Sequence, residues 1–315
     1  DQIDSKKTKS SSSWYSGSSK TTSTSMLESL KGSALIAGTD ASLMARDDIK
    51  VVASTVAAAG SVALEADGNI SLVAGISTHQ LIEEINKENV ATFSNTQRGF
   101  IRQEAVGSEI IAGGDVALEA AGDIRLTASR LVAENNLRIG GEVIDANSLE
   151  SDKGVSPSNV IVDTVALTNK SWDETQKGLK GPLAEIAKAV SVMFGPMIDI
   201  FTLGQYKPAI EIASQSKTTM EKSTAAGSVI AADSLQVSAT DKVLLVNADV
   251  IASGKAQLYA SDIEISAIAE KETFTHTESK QTVSGLGMKL GKDELRIAGV
   301  EMVKNNQREQ ATLIE

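Results

Sequence analysis

A repeat of about twenty residues runs through most of this chain and restricts its fold more than any other feature. Leu43 and Ile49 return 21 positions later as Leu64 and Ile70. Gly-Ser openings begin three longer blocks, at positions 32, 107 and 227. Within each block apolar residues stand at every second position, and Gly, Asn or Asp stands between the runs. This combination predicts an all-β fold, a parallel β-helix built of stacked rungs.

A single repeat cannot be stable alone, because it has nothing against which to bury its apolar side. A buried Ile or Leu contributes roughly 1.5–3 kcal/mol, whereas ordering each residue of a rung costs roughly 1–2 kcal/mol. Only an array that shares backbone hydrogen bonds and stacks equivalent side chains offsets this cost. The alternation places Lys50 and Arg125 outward and predicts an inward stack of Ile49, Ile70, Ile124 and Ile263.

The repeat divides the chain into five parts, of which two carry rungs. The parts are a Ser/Thr-rich lead-in at 1–31, extended or hairpin; rungs at 32–170, with an excursion at 78–106; a helical insertion at 171–206; rungs at 207–268; and an excursion with an irregular tail at 269–315.

The excursion at 78–106 is more polar than the rungs and breaks their period. Two strands joined near Asn95 would form a β-hairpin that leaves the rod. A short helix over 81–90 is the alternative, because its apolar residues also fit a period of 3.6.

The insertion at 171–206 repeats nothing else in the chain. Its apolar residues from Leu183 onward fall at helical spacing, and Pro196 predicts a kink. Glu185, Lys188 and Asp199 argue against a helix that spans a membrane. The apolar side either packs on the rod, or residues 183–203 form an amphipathic helix that contacts a membrane or a partner.

Charge and cysteine content restrict the partners of this chain. The net charge of −11 argues against nucleic acid as a ligand. The absence of cysteine fits a protein that crosses the periplasm unfolded, where a disulfide would lock a loop. We also expect the chain to be a segment of a longer protein, since repeat arrays need caps at both ends.

The sequence predicts no catalytic, cofactor or metal site. His79 and His276 are the only histidines, and without cysteine they do not make a persuasive zinc site. Most acidic residues recur at one place in the repeat, before the second apolar pair, where Asp or Asn suits a turn. The acids that we considered as paired catalytic groups and interpret as structural are Asp47, Asp48, Asp67, Asp115, Asp123, Asp241 and Asp262.

Two glycine motifs were weighed against ligand-binding loops. Gly113-Gly114-Asp115 lacks the third glycine of calcium-binding repeats and does not recur, so it predicts a turn. Gly285-Leu286-Gly287 follows no clear strand-to-helix context, so it does not predict a nucleotide-binding loop.

Three units resemble a known family closely. The segments 64–74, 107–115 and 118–129 resemble the haemagglutinin repeats of filamentous-haemagglutinin-like exoproteins. This group includes two-partner-secreted adhesins and contact-dependent growth inhibition toxins. The likeness covers roughly 25–147 and 210–290, and it is greatest to the second, more C-terminal repeat region.

The resemblance implies a right-handed β-helix, export by an outer-membrane transporter partner and display on a Gram-negative cell surface. It also implies that a C-terminal toxin domain, or the adhesive chemistry, lies elsewhere in the exoprotein. We therefore expect a non-catalytic structural segment that supports toxin delivery across the target-cell outer membrane.

The first alternative is an adhesin segment whose excursions bind a receptor on a host or neighbouring cell. A third hypothesis, a β-helix carbohydrate enzyme, requires a cleft with non-repeating acids, Lys or Arg, and aromatic residues. The aromatic content of 3% argues against it.

Overall fold

The structure is a computed structural model that describes residues 2–13, 17–145, 150–153, 155–180, 209–284, 288–290, 295–297 and 304–314. These residues form strands joined by turns. Most strands belong either to a parallel β-helix, which we call the rod, or to one long antiparallel sheet, which we call the wing.

The rod consists of three parallel sheets of six strands each. The first sheet contains β3 (Ala34–Ala37), β6 (Thr55–Ala58), β11 (Glu109–Ala112), β14 (Arg130–Ala133), β21 (Val229–Ala232) and β24 (Asp249–Ala252). The second contains β4 (Ala41–Ala45), β7 (Val62–Ala66), β12 (Val116–Ala120), β15 (Asn136–Ile139), β22 (Ser234–Ser238) and β25 (Ala256–Tyr259). The third contains β5 (Ile49–Val52), β8 (Ile70–Val73), β13 (Ile124–Thr127), β18 (Asn159–Asp163), β23 (Lys242–Val246) and β26 (Asp262–Ser266).

One strand from each sheet makes one rung, and the predicted parallel β-helix is confirmed. Rungs 1 and 2 are β3–β5 and β6–β8. Rung 3 is β11–β13, and rung 4 combines β14, β15 and β18. Rungs 5 and 6 are β21–β23 and β24–β26.

The wing is an antiparallel sheet of eight strands. In spatial order they are β1 (Gln2–Ser13), β2 (Gly17–Glu28), β9 (Gly75–Glu88), β10 (Thr92–Val106), β19 (Val165–Leu179), β20 (Ala209–Ala226), β27 (Lys271–Ser284) and β30 (Lys304–Ile314). Two small hairpins complete the structure, β16 (Glu142–Asp145) with β17 (Glu150–Lys153), and β28 (Met288–Leu290) with β29 (Leu295–Ile297).

The rod and the wing grow in step along the chain. A wing hairpin, β9 with β10 or β19 with β20, follows each of the first two pairs of rungs. Two rungs advance the rod by about 9.6 Å, and the two strands of a hairpin widen a sheet by the same distance. Successive hairpins can therefore pair edge to edge without strain on the connections.

The core is a column of inward side chains stacked from rung to rung. Ile70, Ile124, Val160 and Val243 pair in register and are each 0% exposed. The predicted inward residue Ile263 pairs with Val243 but is 45% exposed. Its predicted burial is wrong because, among the described residues, no further rung covers the end at β26.

Tight corners connect the two rungs of each pair. Ala53, Ala128 and Asn247 take left-handed backbone angles, with φ of 47°, 46° and 47°. The Gly-Ser openings lie against these corners: a Cβ on Gly32 would stand 1.6 Å from the Ala53 carbonyl oxygen. Glycine is required there because two segments of the backbone approach each other more closely than a side chain permits.

The serines of the second and third openings, Ser108 and Ser228, are buried at these corners together with Ser129, whereas Ser33 of the first opening is exposed. The Ser108 hydroxyl donates to the carbonyl oxygens of Val51 and Val73, at 2.9 and 2.8 Å. Ser129 donates to Leu72 at 3.0 Å. These bonds join the end of one rung to the start of another, which is why the openings read Gly-Ser.

In the described residues the structure contradicts the predicted helix at 171–206 and rejects the helical alternative for the excursion. Residues 171–179 form the end of β19, where pairing with β10 and β20 satisfies their backbone groups. The remainder of the predicted insertion, including 183–203, lies outside the described residues. Residues 81–88 lie in β9 rather than in a helix.

The excursion at 78–106 is a hairpin, as predicted, but its turn lies at Asn89 and not near Asn95. Oδ1 of Asn89 accepts the N–H groups of Ala91 and Thr92 at 2.8 and 2.6 Å.

Several predicted boundaries of the rung regions also differ from the structure. The wing takes residues 165–170 and 209–226 from segments that we predicted as rungs. Rung 4 is interrupted by the hairpin at 142–153 before β18 completes it. Residues 304–314 of the predicted irregular tail form β30 at the edge of the wing.

Candidate functional site

The wing is the largest exposed element of the described structure and the candidate interaction surface. Its strands run for 11 to 18 residues. Among its described side chains Leu167 alone is buried, at 9% exposure. The sheet is therefore a single layer whose two faces are both accessible.

An apolar row crosses the middle of one wing face. Leu81, Phe100, Met220 and Phe274 follow one another across β9, β10, β20 and β27, with Ser171 on β19 between them. Directly paired residues share a face of a sheet, so these side chains line one open groove of about 520 Å³. Met220 and Phe274 are 41% and 38% exposed.

Charged and polar side chains border the apolar row on the same face. Arg98 pairs with Glu83 at 2.6 Å, and the Thr218 hydroxyl lies 2.9 Å from Nδ1 of His276. On the other side of the row, the His79 ring meets Phe100 edge-on at 5.1 Å. The surface thus combines an apolar centre with a polar rim, which is typical of interaction surfaces.

The opposite wing face carries Trp172, which covers the glycine of the neighbouring strand. Gly99 pairs with Trp172, and a Cβ on Gly99 would stand 2.7 Å from Cζ2 of the indole. Sequence reasoning missed this residue because it placed Trp172 in a helical insertion. The alternation of polar and large residues around Phe274 was a strand signal that also went unused.

The structure places both histidines on the wing but does not bring them together. His79 lies on β9 and His276 on β27, four strands away, so the two strands that carry them are about 19 Å apart. No group of three or more His, Cys, Asp or Glu side chains in the described part of the chain is arranged to hold a metal ion.

The repeated acids lie at rod corners, where several bind the next rung. Oδ1 of Asp48 accepts the backbone and side-chain N–H groups of Asn69 at 2.7 and 3.0 Å. Asp123 accepts the same pair from Asn159 at 3.1 and 2.8 Å. These bonds form ladders parallel to the rod axis.

The other acids follow the same corners at different heights. Asp115 accepts both N–H groups of Asn136 at 3.0 Å. The backbone groups of Asp47, Asp67, Asp241 and Asp262 bond to adjacent rungs. The acids that we considered are spread along the rod and are not gathered into one site.

Of the two glycine motifs, the structure describes Gly113-Gly114 and places it at a corner of the rod. At Gly113 a Cβ would stand 2.4 Å from the Ala59 carbonyl oxygen, and the Gly114 N–H donates to Gly60 at 2.9 Å. This pair forms a corner between rungs. Residues 285–287 lie outside the described residues.

A cluster of charges marks the last rungs of the rod. The Lys242 ammonium lies 2.6 Å from Glu264 and 3.6 Å from Asp262. The hydrogen bond to Glu264, followed by the charges of both carboxylates, raises the pKa of Lys242 above its usual value of 10.5. This ion pair links adjacent strands of the third sheet.

No described segment is a helix of the length and hydropathy needed to cross a membrane. The predicted membrane contact through 183–203 concerns residues that the structure does not describe.

Comparison with known proteins identifies a family and a relative. The family model described as hemagglutinin repeat matches residues 12–99, 91–160 and 212–313. The chain is 24% identical over 317 aligned residues to a protein named 16S rRNA endonuclease CdiA, from Enterobacter cloacae subsp. cloacae. The similarity covers 85% of this chain but only 10% of that relative, so the chain spans about a tenth of its length. No solved structure matches the chain significantly.

The family matches agree with the architecture, because most of their residues lie in the wing hairpins and rung pairs described above. They confirm the resemblance that the sequence showed at 64–74, 107–115 and 118–129. The chain therefore belongs to the hemagglutinin-repeat family.

Proposed function

We propose that this segment is a non-catalytic structural part of a large secreted exoprotein that supports delivery of a C-terminal toxin domain across the outer membrane of a target cell. The process is contact-dependent growth inhibition. The family supports a structural role, and the name of the CdiA relative supports the link to a toxin-bearing exoprotein.

The observation that carries this proposal is the matched growth of rod and wing. Each unit of one hairpin and two rungs adds about 9.6 Å to both parts. The described side chains of such a unit form structural ladders and open faces rather than a gathered set of catalytic groups. A segment of this kind extends and presents surfaces, and chemistry is left to other domains.

The proposed partners are those that a secreted, toxin-bearing exoprotein of this kind requires. An outer-membrane transporter would export the exoprotein to the surface of a Gram-negative cell, and the target-cell envelope would receive it. The absence of cysteine fits passage through an oxidising periplasm. A membrane contact through 183–203 remains part of the proposal.

The structure suggests a deletion that removes wing strands while keeping the rod. Deleting 75–107 joins Ala74 to Ser108, which reproduces the two-residue corner Ala53-Ser54 in register. Deleting 165–227 joins Thr164 to Ser228 at the equivalent corner. With both deletions, and with Thr164→Asn to suit the left-handed corner, the exoprotein should still form rungs 1 to 6. It lacks the four central wing strands β9, β10, β19 and β20 but keeps β1, β2, β27 and β30, and we call it the wingless exoprotein.

The experiment scores surface display, cell–cell binding and killing of competitor cells in the full-length exoprotein. The matched control deletes 74–163, one hairpin with two rungs, which shortens the segment in phase because Val73 and Asp163 occupy equivalent positions. We expect the wingless exoprotein to be displayed and to bind cells but to kill poorly. Killing at the unmodified level would contradict a delivery role and leave the segment as a spacer.

The exposed apolar row favours a second candidate, an adhesin segment. Its two phenylalanines, Phe100 and Phe274, lie on an open face bordered by charge. If the wingless exoprotein is displayed but loses attachment to cells, adhesion rather than delivery is the function of the wing.

A further inference from the structure

A polar groove lies on the outer surface of the rod and contains no wing residue in its lining. It follows the second sheet across rungs 3 to 6 and has a volume of about 480 Å³. Its lining includes Asn136, Arg138, Glu142, Gln236, Lys255 and Gln257.

The outward row that forms the groove changes character halfway along the rod. In register, the row reads Ser42, Ala63, Ala117, Arg138, Gln236 and Gln257. The first three side chains are small, and the last three are long with planar polar ends. Because outward positions do not pack in the core, the fold does not require this change. Its restriction to consecutive rungs points to a binding function.

The polar groups of the groove are held in place by their neighbours. Arg138 donates to the Gly140 carbonyl oxygen at 2.8 Å and pairs with Glu119, and its side chain is only 23% exposed. The Gln257 amide donates to the Tyr259 hydroxyl. Groups that are already ordered lose little conformational entropy when a ligand binds.

The charges of the groove select against an ionic ligand. The lining holds Arg138 and Lys255 beside Asp115 and Glu142, and Glu119, which pairs with Arg138, adds a third carboxylate. An anion would meet the carboxylates, and a cation would meet the guanidinium and the ammonium. Each amide side chain of the groove has two N–H donors and an acceptor oxygen, which is more than the single bonds that the amide nitrogens of Asn136 and Gln257 make to Asp115 and Tyr259. This mixture of donors and acceptors matches a ligand rich in hydroxyl groups.

We propose that this groove binds a neutral oligosaccharide. The planar ends of Arg138, Gln236 and Gln257 are spaced over about 9.6 Å along the rod axis, so the ligand is a chain of sugars lying along the rungs. The rod alone builds this site, so its binding can be tested separately from the role proposed for the wing.

The test uses the 315-residue chain and calorimetric titration with neutral gluco-, galacto-, manno- and xylo-hexaoses. Oligogalacturonate and a heparin hexasaccharide are the charged comparators. We expect at least one neutral hexaose to bind. The double variant Gln236→Ala with Gln257→Ala should weaken that binding roughly tenfold or more, because each lost hydrogen bond reduces affinity severalfold.

Controls separate binding from folding. Alanine already occupies this outward row as Ala63 and Ala117, so the double variant should melt like the unmodified chain. Gln97→Ala with Gln215→Ala, two glutamines of the wing, is the matched control and should leave binding unchanged. Ala117→Trp, which fills the groove, should also abolish binding.

Any one of three results would overturn the proposal. The first is that no neutral hexaose binds at millimolar concentration, and the second is that only the charged comparators bind. The third is that binding persists both in Gln236→Ala with Gln257→Ala and in Ala117→Trp.

Discussion

The rod and the wing have the same strand spacing, but the rod buries its inward side chains whereas the wing leaves nearly all of its described side chains accessible to solvent. In the rod, inward residues such as Leu118 and Ile124 are 0% exposed, since each rung covers the next. In the wing, the described side chains lie on two open faces and Leu167 alone is buried. Strand pairing satisfies the backbone in both parts, but only enclosure removes apolar surface from water.

This contrast sets the size of mutational effects. A buried Ile or Leu contributes roughly 1.5–3 kcal/mol, whereas a cross-strand pair on an open face contributes roughly 0.2–1 kcal/mol. We expect rod substitutions to unfold the chain and wing substitutions to loosen it locally.

The largest effect is expected for Ile124→Asp. The side chain is 0% exposed and stacks between Ile70 and Val160. The substitution buries an unpaired charge and should lower the free energy of unfolding by about 4 kcal/mol or more. Thermal unfolding followed by circular dichroism measures it. The neighbouring outward change Arg125→Gln, which breaks only an exposed 3.8 Å ion pair, should stay within about 0.5 kcal/mol.

The next effect is expected for Gly227→Ala at a rod corner. The new Cβ would stand 2.0 Å from the Asn247 carbonyl oxygen, so the corner must shift at a cost of about 1–3 kcal/mol. Chemical denaturation measures the change. Gly38→Ala is the control, because no atom lies within 4 Å of its Cβ position. Equal stability of the two variants would show that the corners are not close-packed.

Ser108→Ala should cost about 1–2 kcal/mol. Its hydroxyl is 0% exposed and donates to two carbonyl oxygens of the preceding rungs. These oxygens would lose a partner in a site that is closed to solvent. Denaturation of the variant beside the exposed change Ser42→Ala measures the cost. If Ser108→Ala is no less stable than Ser42→Ala, the buried serine does not join the rungs energetically.

Phe100→Ser tests whether a substitution in the wing destabilises only the wing strands and leaves the rod unchanged. The loss should be about 0.2–1 kcal/mol, because the ring pairs only with neighbours on an open face. Hydrogen exchange should show faster exchange in β9, β10 and β19 and unchanged protection in rungs 2 and 3. Faster exchange throughout the rod would mean that the two parts unfold as one unit.

The smallest effect concerns pH and Lys242. The hydrogen bond to Glu264 and the charges of Glu264 and Asp262 raise its pKa, so the ion pair stabilises the folded chain below pH 10.5. This contribution is lost as the pH rises through the raised pKa. Melting of Lys242→Met beside the unmodified chain should show a small difference at pH 8 that vanishes at higher pH. A difference that grows with pH would reverse the assigned sign.

Much of the rod could be read from the sequence, because each rung repeats the requirements of the last. The period placed Ile49, Ile70 and Ile124 inward, and the recurrence of Asp or Asn before a strand indicated a turn. The same reasoning failed for Ile263, whose position is inward but which no described rung covers. Burial depends on the neighbour along the rod, which the residue itself does not encode.

The wing could be read only in part. The break in the repeat at 78–106 predicted a hairpin, with a short helix as the alternative. Nothing local distinguished Trp172 in a strand from Trp172 in a helix. Its partner, Gly99, lies more than seventy positions earlier. Pairing over that separation is decided when the rod brings two hairpins side by side.

The sequence alone determined the rung, its inward side chains and the small residues of its corners, because these depend on local periodicity and on close contact between adjacent repeats. The tertiary structure decided the order of the wing strands, the face shared by Phe100 and Phe274, and the row that joins Arg138 to Gln236 and Gln257. These features arise where residues distant in sequence are stacked about 4.8 Å apart. That stacking exists only once the rod has formed.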